Sequence, residues 1–442
     1  MIKYTRFFIL FALTIIAFGV KAQSTAPLAT TSSPYSMYGL GTINPTLLPQ
    51  NIGMGGIGTA INRISGYNNI NPLNPASYGT INFTTIDVGL YSNIENLSQT
   101  GQTSAKNTNF RLSHIAFAIP VTRHSALSFG LLPYSEMGYN YKQTSNGFKT
   151  GSTVDTNTVN YLYNGNGGLS KAYLGYGFGV GKHLLIGANI SYIFGNIQQF
   201  SSTEIPGLYG TLNSRIEQSN AIGGFNYDLG AQYSFDFGDT KHLILGYSTS
   251  LKSSINSTSS YIVSQYTYDA SGNENLAADS IINHQSTKSK IQLPQINHFG
   301  VSFQNDGHFL IGADYTMGKW SSLNIDGTNA GLQDSKTFNL GGQYTPDINA
   351  LHNYFARADY RLGFIYSDTY LNVNNTSIKQ KAVTFGIGLP LAPNNLSFYK
   401  INLSAEVGTQ GTLNNGLVKE NYINIHLGFT FNDKWFQRFK FQ

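Results

Sequence analysis

Tyr422-Ile423-Asn424-Ile425-His426-Leu427-Gly428-Phe429-Thr430-Phe431 is the stretch that decides the fold. Successive side chains of a strand point to opposite faces. Ile423, Ile425, Leu427, Phe429 and Phe431 therefore share one face, and Tyr422, Asn424, His426, Gly428 and Thr430 share the other. The same alternation recurs upstream. Phe225, Tyr227, Leu229, Ala231, Tyr233, Phe235 and Phe237 oppose Asn226, Asp228, Gly230, Gln232, Ser234 and Asp236. Leu184, Ile186, Ala188, Ile190, Tyr192 and Phe194 form another apolar row, and Tyr354, Ala356, Ala358, Tyr360, Leu362, Phe364 and Tyr366 a third, opposite Arg357, Asp359 and Arg361. A charge on a lipid-facing side costs about 2–4 kcal/mol at the bilayer midplane. Asp228, Arg357, Asp359 and Arg361 are therefore expected to point into a lumen. An apolar outside and a polar inside, repeated along the chain, predict an all-β transmembrane antiparallel barrel.

Composition agrees. Only 11% of the 442 residues are charged, against about 25% in ordinary soluble domains. Aromatics make up 13%, suiting two interfacial girdles. Mean hydropathy is −0.17, and beyond the first residues no long apolar helix is visible, which excludes a helical membrane protein. The net charge of +5 is modest, and no basic stripe with interleaved aromatics argues for nucleic acid. The absence of cysteine excludes disulfides, thiolate metal sites and a lipid-modified cysteine anchor.

Residues 1–22 read as a signal peptide: Lys3 and Arg6, then the apolar run Phe7 to Val20, then Val20-Lys21-Ala22 before a cleavage point at Gln23. Residues 23–79 are dense in Gly and Pro yet rich in Ile, Leu, Met and Tyr, which forbids long regular elements but favours compactness. This segment, with Gly55, Gly56, Asn74, Pro75 and Ala76, is expected to form a plug (hatch) inside the barrel of residues 80–442. About fourteen strands are expected there, an even number. Short connections near Val121–His124, Val180–His183, Gly238–Lys241, Asn305–Gly307, Asp347–Leu351 and Leu391–Asn395 alternate with longer ones such as Gln143–Asp155, Ser201–Leu212 and Asn256–Thr287. Short turns belong to the periplasm and long loops to the outside, so both chain ends are expected in the periplasm of a bacterial cell with an outer membrane.

Gly53-x-Gly55-Gly56-x-Gly58 superficially matches a phosphate loop, but no strand precedes it and no Lys follows. His124, His183, His242, His308 and His352 lie at turns and form no metal cluster. Ser113 and His114 are adjacent and are expected on opposite faces, which argues against a Ser–His hydrolase. No enzyme, cofactor or metal is expected.

In strand three, Leu127-Ser128-Phe129-Gly130-Leu131-Leu132-Pro133-Tyr134 contains a proline that cannot donate to a ladder. A closed barrel has no edge, so a local break is predicted. Pro294 sits similarly in strand eight.

The chain resembles the FadL-type family of outer-membrane transporters for hydrophobic compounds, in a Bacteroidota-like version. The resemblance rests on the segment before the strands, on Asn74-Pro75-Ala76, on Gly165-Asn166-Gly167-Gly168-Leu169 leading into Tyr173-Leu174-Gly175-Tyr176-Gly177, and on the terminal strand. It covers essentially the whole mature chain. The tail departs from it: Asn432 to Gln442 continues past Phe431, so either Phe431 or Phe441 could end the insertion signal. The resemblance implies passive uptake of a hydrophobic small molecule, such as a fatty acid or hydrocarbon. Lateral exit would occur through the wall near Gly130, Leu132, Pro133 and Tyr134. Lipid and the ligand are then the partners. It equally admits a non-transporting subunit of a secretion or protein-insertion complex, similar to PorV, with other outer-membrane proteins as partners. Fold does not decide between them.

Overall fold

A computed structural model describes residues 32–63, 68–146, 158–206, 210–269, 273–275, 279–325, 327–391 and 397–434. The expected signal peptide at residues 1–22 and the terminal Phe441 lie outside the described residues. Fourteen antiparallel strands close into a barrel. In chain order they are strand one Thr84–Gln99, two Ala105–Thr122, three Ser125–Asn146, four Thr158–Val180, five Leu184–Glu204 and six Asn213–Asp236. Strand seven is built of Lys241–Ser250 and Ser253–Tyr266, and strand eight of Asp279–Leu293 and Ile296–Asn305. Then come nine Phe309–Gly318, ten Ser335–Tyr344, eleven Asp359–Val373, twelve Thr376–Pro390, thirteen Ser397–Gly411 and fourteen Val418–Asp433. Strand fourteen pairs with strand one from Val418↔Gln99 to Asp433↔Thr84, which closes the ring.

The period of two places the side chains as expected. Phe225 is 52% exposed and its neighbour Asn226 is 4% exposed. Tyr360, Leu362 and Phe364 face outward while Asp359 and Arg361 are buried. The outer wall is thus apolar and the chain is an outer-membrane barrel.

Two expectations about the connections need correction. The stretch expected as a loop between strands seven and eight is largely strand: 253–266 pairs with 279–293 as a hairpin extension. Its Ser, Thr and Asn residues alternate with few apolar ones, so the periodic signal is absent where no lipid face is needed. Strand eleven begins at Asp359, not near residue 352. Asn353 caps a short 3₁₀ turn, Tyr354–Arg357, accepting a bond from the Ala356 amide at 3.3 Å. Arg357 therefore lies on this turn beside the Tyr354 ring (5.5 Å) and is not a lumen charge of the wall.

Residues 33–81 are tied to the inner wall by hydrogen bonds to every strand from the fifth to the fourteenth. Examples are Asn189 Nδ2 to the Pro72 carbonyl (3.2 Å), Gln232 Nε2 to Thr59 (2.9 Å), Ser302 Oγ to Ala60 (2.7 Å) and Ser404 Oγ to Pro49 (2.6 Å). In the reverse direction, the Gly58 and Thr59 amides both donate to Asp314 at 2.8 Å, and the Gly55 amide donates to Thr384 Oγ1 at 2.8 Å. Tyr370 donates to Gly41 (2.8 Å) and Tyr35 to Val418 (2.5 Å). Buried backbone groups need such partners. Because the described residues of 33–81 form only short elements, side chains of the wall supply many of them.

Candidate functional site

The wall is incomplete between strands two and three. Their pairing runs from Thr122↔Ser125 to Ile115↔Leu131 and stops there. Beyond that level strand two continues along strand one to Ala105↔Leu97, and strand three continues along strand four to Asn146↔Thr158. Gly130 and Leu131 are thus the last paired residues, the break begins at Leu132 and Pro133, and a register shift against strand four between Pro133 and Ser135 leaves Tyr134 as the extra residue. A proline and a bulge together end the ladder. Pro294 behaves differently: strand eight is interrupted there, but strand seven pairs with it on both sides of the interruption.

The inner segment borrows the freed edge of strand three. Thr42↔Glu136 and Ile43↔Ser135 form a short antiparallel pairing. The Asn44 amide donates to the Tyr134 carbonyl at 2.9 Å, and Ser36 Oγ bonds both the amide and the carbonyl of Gly138 at 3.0 and 3.1 Å. Across the seam Arg111 of strand two is ion-paired to Glu136 of strand three, and Asn44 Nδ2 donates to the same carboxylate at 2.9 Å. The Arg111 guanidinium also lies over the Tyr91 ring, 4.3 Å from its centroid.

A cavity of about 410 Å³ lies between the inner segment and the wall and reaches the seam at Arg111, Ser113, His114, Leu132, Pro133 and Tyr134. Its apolar lining includes Ile43, Leu47, Ile52, Leu73, Ile296, Trp320, Ile365 and Leu371. Its charged lining is unbalanced. Five carboxylates (Glu95, Asp228, Asp314, Glu406 and Glu420) face two fixed cations, Arg111 and Lys171. Arg111 is taken by Glu136, and Lys171 by Asp228 at 2.7 Å, with Ser250 as a further donor to Asp228. Both cations are thus ion-paired with carboxylates, although the buried Nε and Nη1 of Arg111 have no hydrogen-bond partner.

Ser113 and His114 correct a sequence expectation. Gly89 pairs with His114 and Leu90 with Leu112, so Ser113 is bulged out of register and both side chains reach the cavity. His114 Nδ1 is 3.2 Å from Ser113 Oγ and its Nε2 is 2.7 Å from Asp87 Oδ1, while Thr430 donates to the other Asp87 oxygen at 2.6 Å. Strict alternation fails wherever a bulge adds a residue.

The other expected residues fall in two groups. Asn74, Pro75 and Ala76 form a buried knot. Asn74 Oδ1 accepts from the Ala76 amide (3.1 Å), and its Nδ2 donates to Thr59 (2.7 Å) and towards the Ala231 and Tyr247 carbonyls of strands six and seven (3.3 Å each). Gly55 and Gly56 adopt φ of +70° and +77°, and a Cβ on Gly55 would stand 2.5 Å from the Leu340 carbonyl oxygen. Both glycines thus serve the seating of the segment. Asp359 and Arg361 belong to a buried network outside the cavity. Asp359 Oδ2 accepts from Arg361 (2.9 Å) and Lys400 (2.6 Å), and Oδ1 from Thr345 (2.8 Å). Arg361 also donates to Gln343 and Asn402. Asp228 alone of the expected charges lines the cavity. Sequence reasoning missed Arg111, Glu136, Glu95, Glu420 and Lys171. The signal was parity: Glu420 shares the polar face of Tyr422, Asn424 and His426, and Arg111 stands between Phe110 and Leu112.

Comparison with solved structures finds the same architecture at low identity. The Ralstonia pickettii toluene transporter TbuX superposes with a TM-score of 0.57 at 16% identity, over 88% of this chain and 98% of that one. The P. putida toluene transporter TodX gives 0.55 at 15%, over 88% and 98%. A Pseudomonas aeruginosa FadL homologue gives 0.54 at 13%, over 89% and 100%. At such identities the likeness is one of fold, and it agrees with the FadL-type architecture expected from the sequence. No curated protein sequence matches the chain. A family model, BamG, matches residues 1–442, its whole length. The barrel, its tethered inner segment and its split seam are therefore those of a chain that belongs to the BamG family.

Proposed function

We propose that this barrel is a passive outer-membrane channel. A small, largely apolar solute would enter the cavity and leave sideways between strands two and three into the membrane, with residues 33–79 acting as the plug. The observation that carries this reading is the continuity of the cavity with the unpaired seam at Leu132, Pro133 and Tyr134. A cavity of this size is within the range that holds a small ligand. Sideways release keeps apolar surface out of water, which is worth roughly 25 cal/mol per Å². The carboxylate excess disfavours a fatty-acid anion, so the solute class is neutral or cationic. Uptake of toluene and of laurate into proteoliposomes tests it. Toluene uptake above that of protein-free vesicles, with no gain for laurate, is expected; no gain for either contradicts the reading.

A second reading is a non-transporting subunit of an outer-membrane secretion or protein-insertion complex. It is favoured by the dense tethering of residues 33–81 and by Leu351 and Phe355, 89% and 64% exposed on the turn before strand eleven. Isolation from native membranes with other barrel proteins at fixed ratio, together with absent uptake, would select it.

A further inference from the structure

On strand one, Tyr91, Asn93 and Glu95 share the lumen face and line the cavity. Glu95 pairs in register with Tyr422 and Leu97 with Glu420, so Glu95 and Glu420 are diagonal neighbours on one face, and their carboxyl groups meet. Glu406 stands next on strand thirteen, opposite Asn424, and accepts from Tyr422 at 2.7 Å. Among the described residues none of these three carboxylates has an ion-pair partner, and Arg111, the cation on the neighbouring strand two, is paired with Glu136. Glu420 accepts from Ser33 at 2.5 Å. Glu95 is 4% exposed, yet its Oε2 has no hydrogen-bond partner, and neither has the Asn93 Oδ1 two residues away.

Buried carboxylates side by side repel, and an unmet acceptor in a water-poor site is costly. Glu95 Oε2 and Asn93 Oδ1 therefore lack a donor and the three carboxylates lack a cation of their own, while the unmet Nε and Nη1 of Arg111 belong to a guanidinium held against Tyr91 and Glu136. Among the described residues no cluster of three or more His, Asp or Glu has the arrangement of a metal site. An ammonium group supplies one positive charge and three donors, matching Glu95 Oε2, Asn93 Oδ1 and the Glu420 carboxylate. We propose that this pocket is an organic-ammonium subsite: the solute is an apolar amine whose charged head is held by Glu95 and Glu420 while its apolar body lies in the cavity. This inference rests on the channel reading and narrows its substrate class.

The test uses the full-length protein in detergent and three probes of one size: phenethylammonium, phenethyl alcohol and phenylpropionate. Titration calorimetry is expected to give phenethylammonium the highest affinity and phenylpropionate none. Glu95→Gln, and separately Glu420→Gln, should weaken phenethylammonium by about tenfold or more while leaving the alcohol unchanged. Heat-modifiable gel migration checks that each variant is a folded barrel. Amine and alcohol binding alike, with both variants inert, would mean that the carboxyl pair is satisfied by a shared proton; the ammonium proposal then fails and the channel reading stands. If none of the three probes binds, both fail.

Discussion

Arg111 of strand two is ion-paired to Glu136 of strand three at a level of the wall where their two strands share no backbone pairing. Elsewhere neighbouring strands are held by ladders, whereas here one side-chain pair and Asn44 of the inner segment bridge the seam. Both side chains are largely buried, so the pair is a charge-assisted contact in a low-dielectric place. Arg111→Met is expected to speed the sideways release of toluene from loaded proteoliposomes several-fold. A double-mutant cycle with Glu136→Gln should show coupling of about 1–3 kcal/mol in unfolding free energy.

Pro133 ends the ladder between strands two and three. Pro133→Ala restores a backbone donor and relaxes the bulge, so pairing can extend past Leu131. The expected outcome is slower release with equal or higher thermal stability. Release kinetics and melting of the purified barrel check it together.

Asn74 ties three separate backbone stretches with one side chain. Asn74→Ala strands the buried Ala76 amide and takes one of two donors from the Thr59 carbonyl, which keeps Gln232, costing about 1–3 kcal/mol. Because the loss falls on the inner segment, the variant should show raised ion conductance in planar bilayers while the strand signal in circular dichroism is unchanged.

Gly55 has a positive φ and its missing Cβ makes room for the Leu340 carbonyl. Gly55→Ala combines backbone strain with a steric clash and is expected to destabilise by at least about 1 kcal/mol. Limited proteolysis should then cleave within residues 44–63 in the variant and not in the parent.

Asp359 offsets two buried cations, Arg361 and Lys400. Asp359→Ala leaves both uncompensated and should cost about 3–5 kcal/mol, the largest loss of this set. Denaturant titration checks it. Uptake by the folded fraction should be unaffected, since Asp359 is not part of the cavity lining.

The wall was legible because lipid enforces a period of two. Where Phe225 and Asn226 alternate, one face must be apolar, and the strands follow. The signal faded where that demand ended. The polar hairpin of 253–266 and 279–293 read as a loop, and the 3₁₀ turn at Tyr354–Arg357 mimicked alternation over a few residues. The break at Pro133 was legible from proline chemistry alone. Its consequence was not, since the Arg111–Glu136 pairing depends on which residue a bulge displaces. The same displacement at Ser113 brought Ser113 and His114 to one side against simple parity. Asn74 was legible as a motif, while its threefold bonding required the segment's path among strands six and seven.

The most direct measurement of sideways passage is toluene release before and after the seam is tied. The native chain has no cysteine, so Arg111→Cys with Glu136→Cys places two thiols where side chains already meet, and a short bismaleimide can join them. Release that is fast in the unlinked double variant and falls to the protein-free rate after cross-linking is the predicted result. An unchanged rate after complete cross-linking would contradict passage between strands two and three.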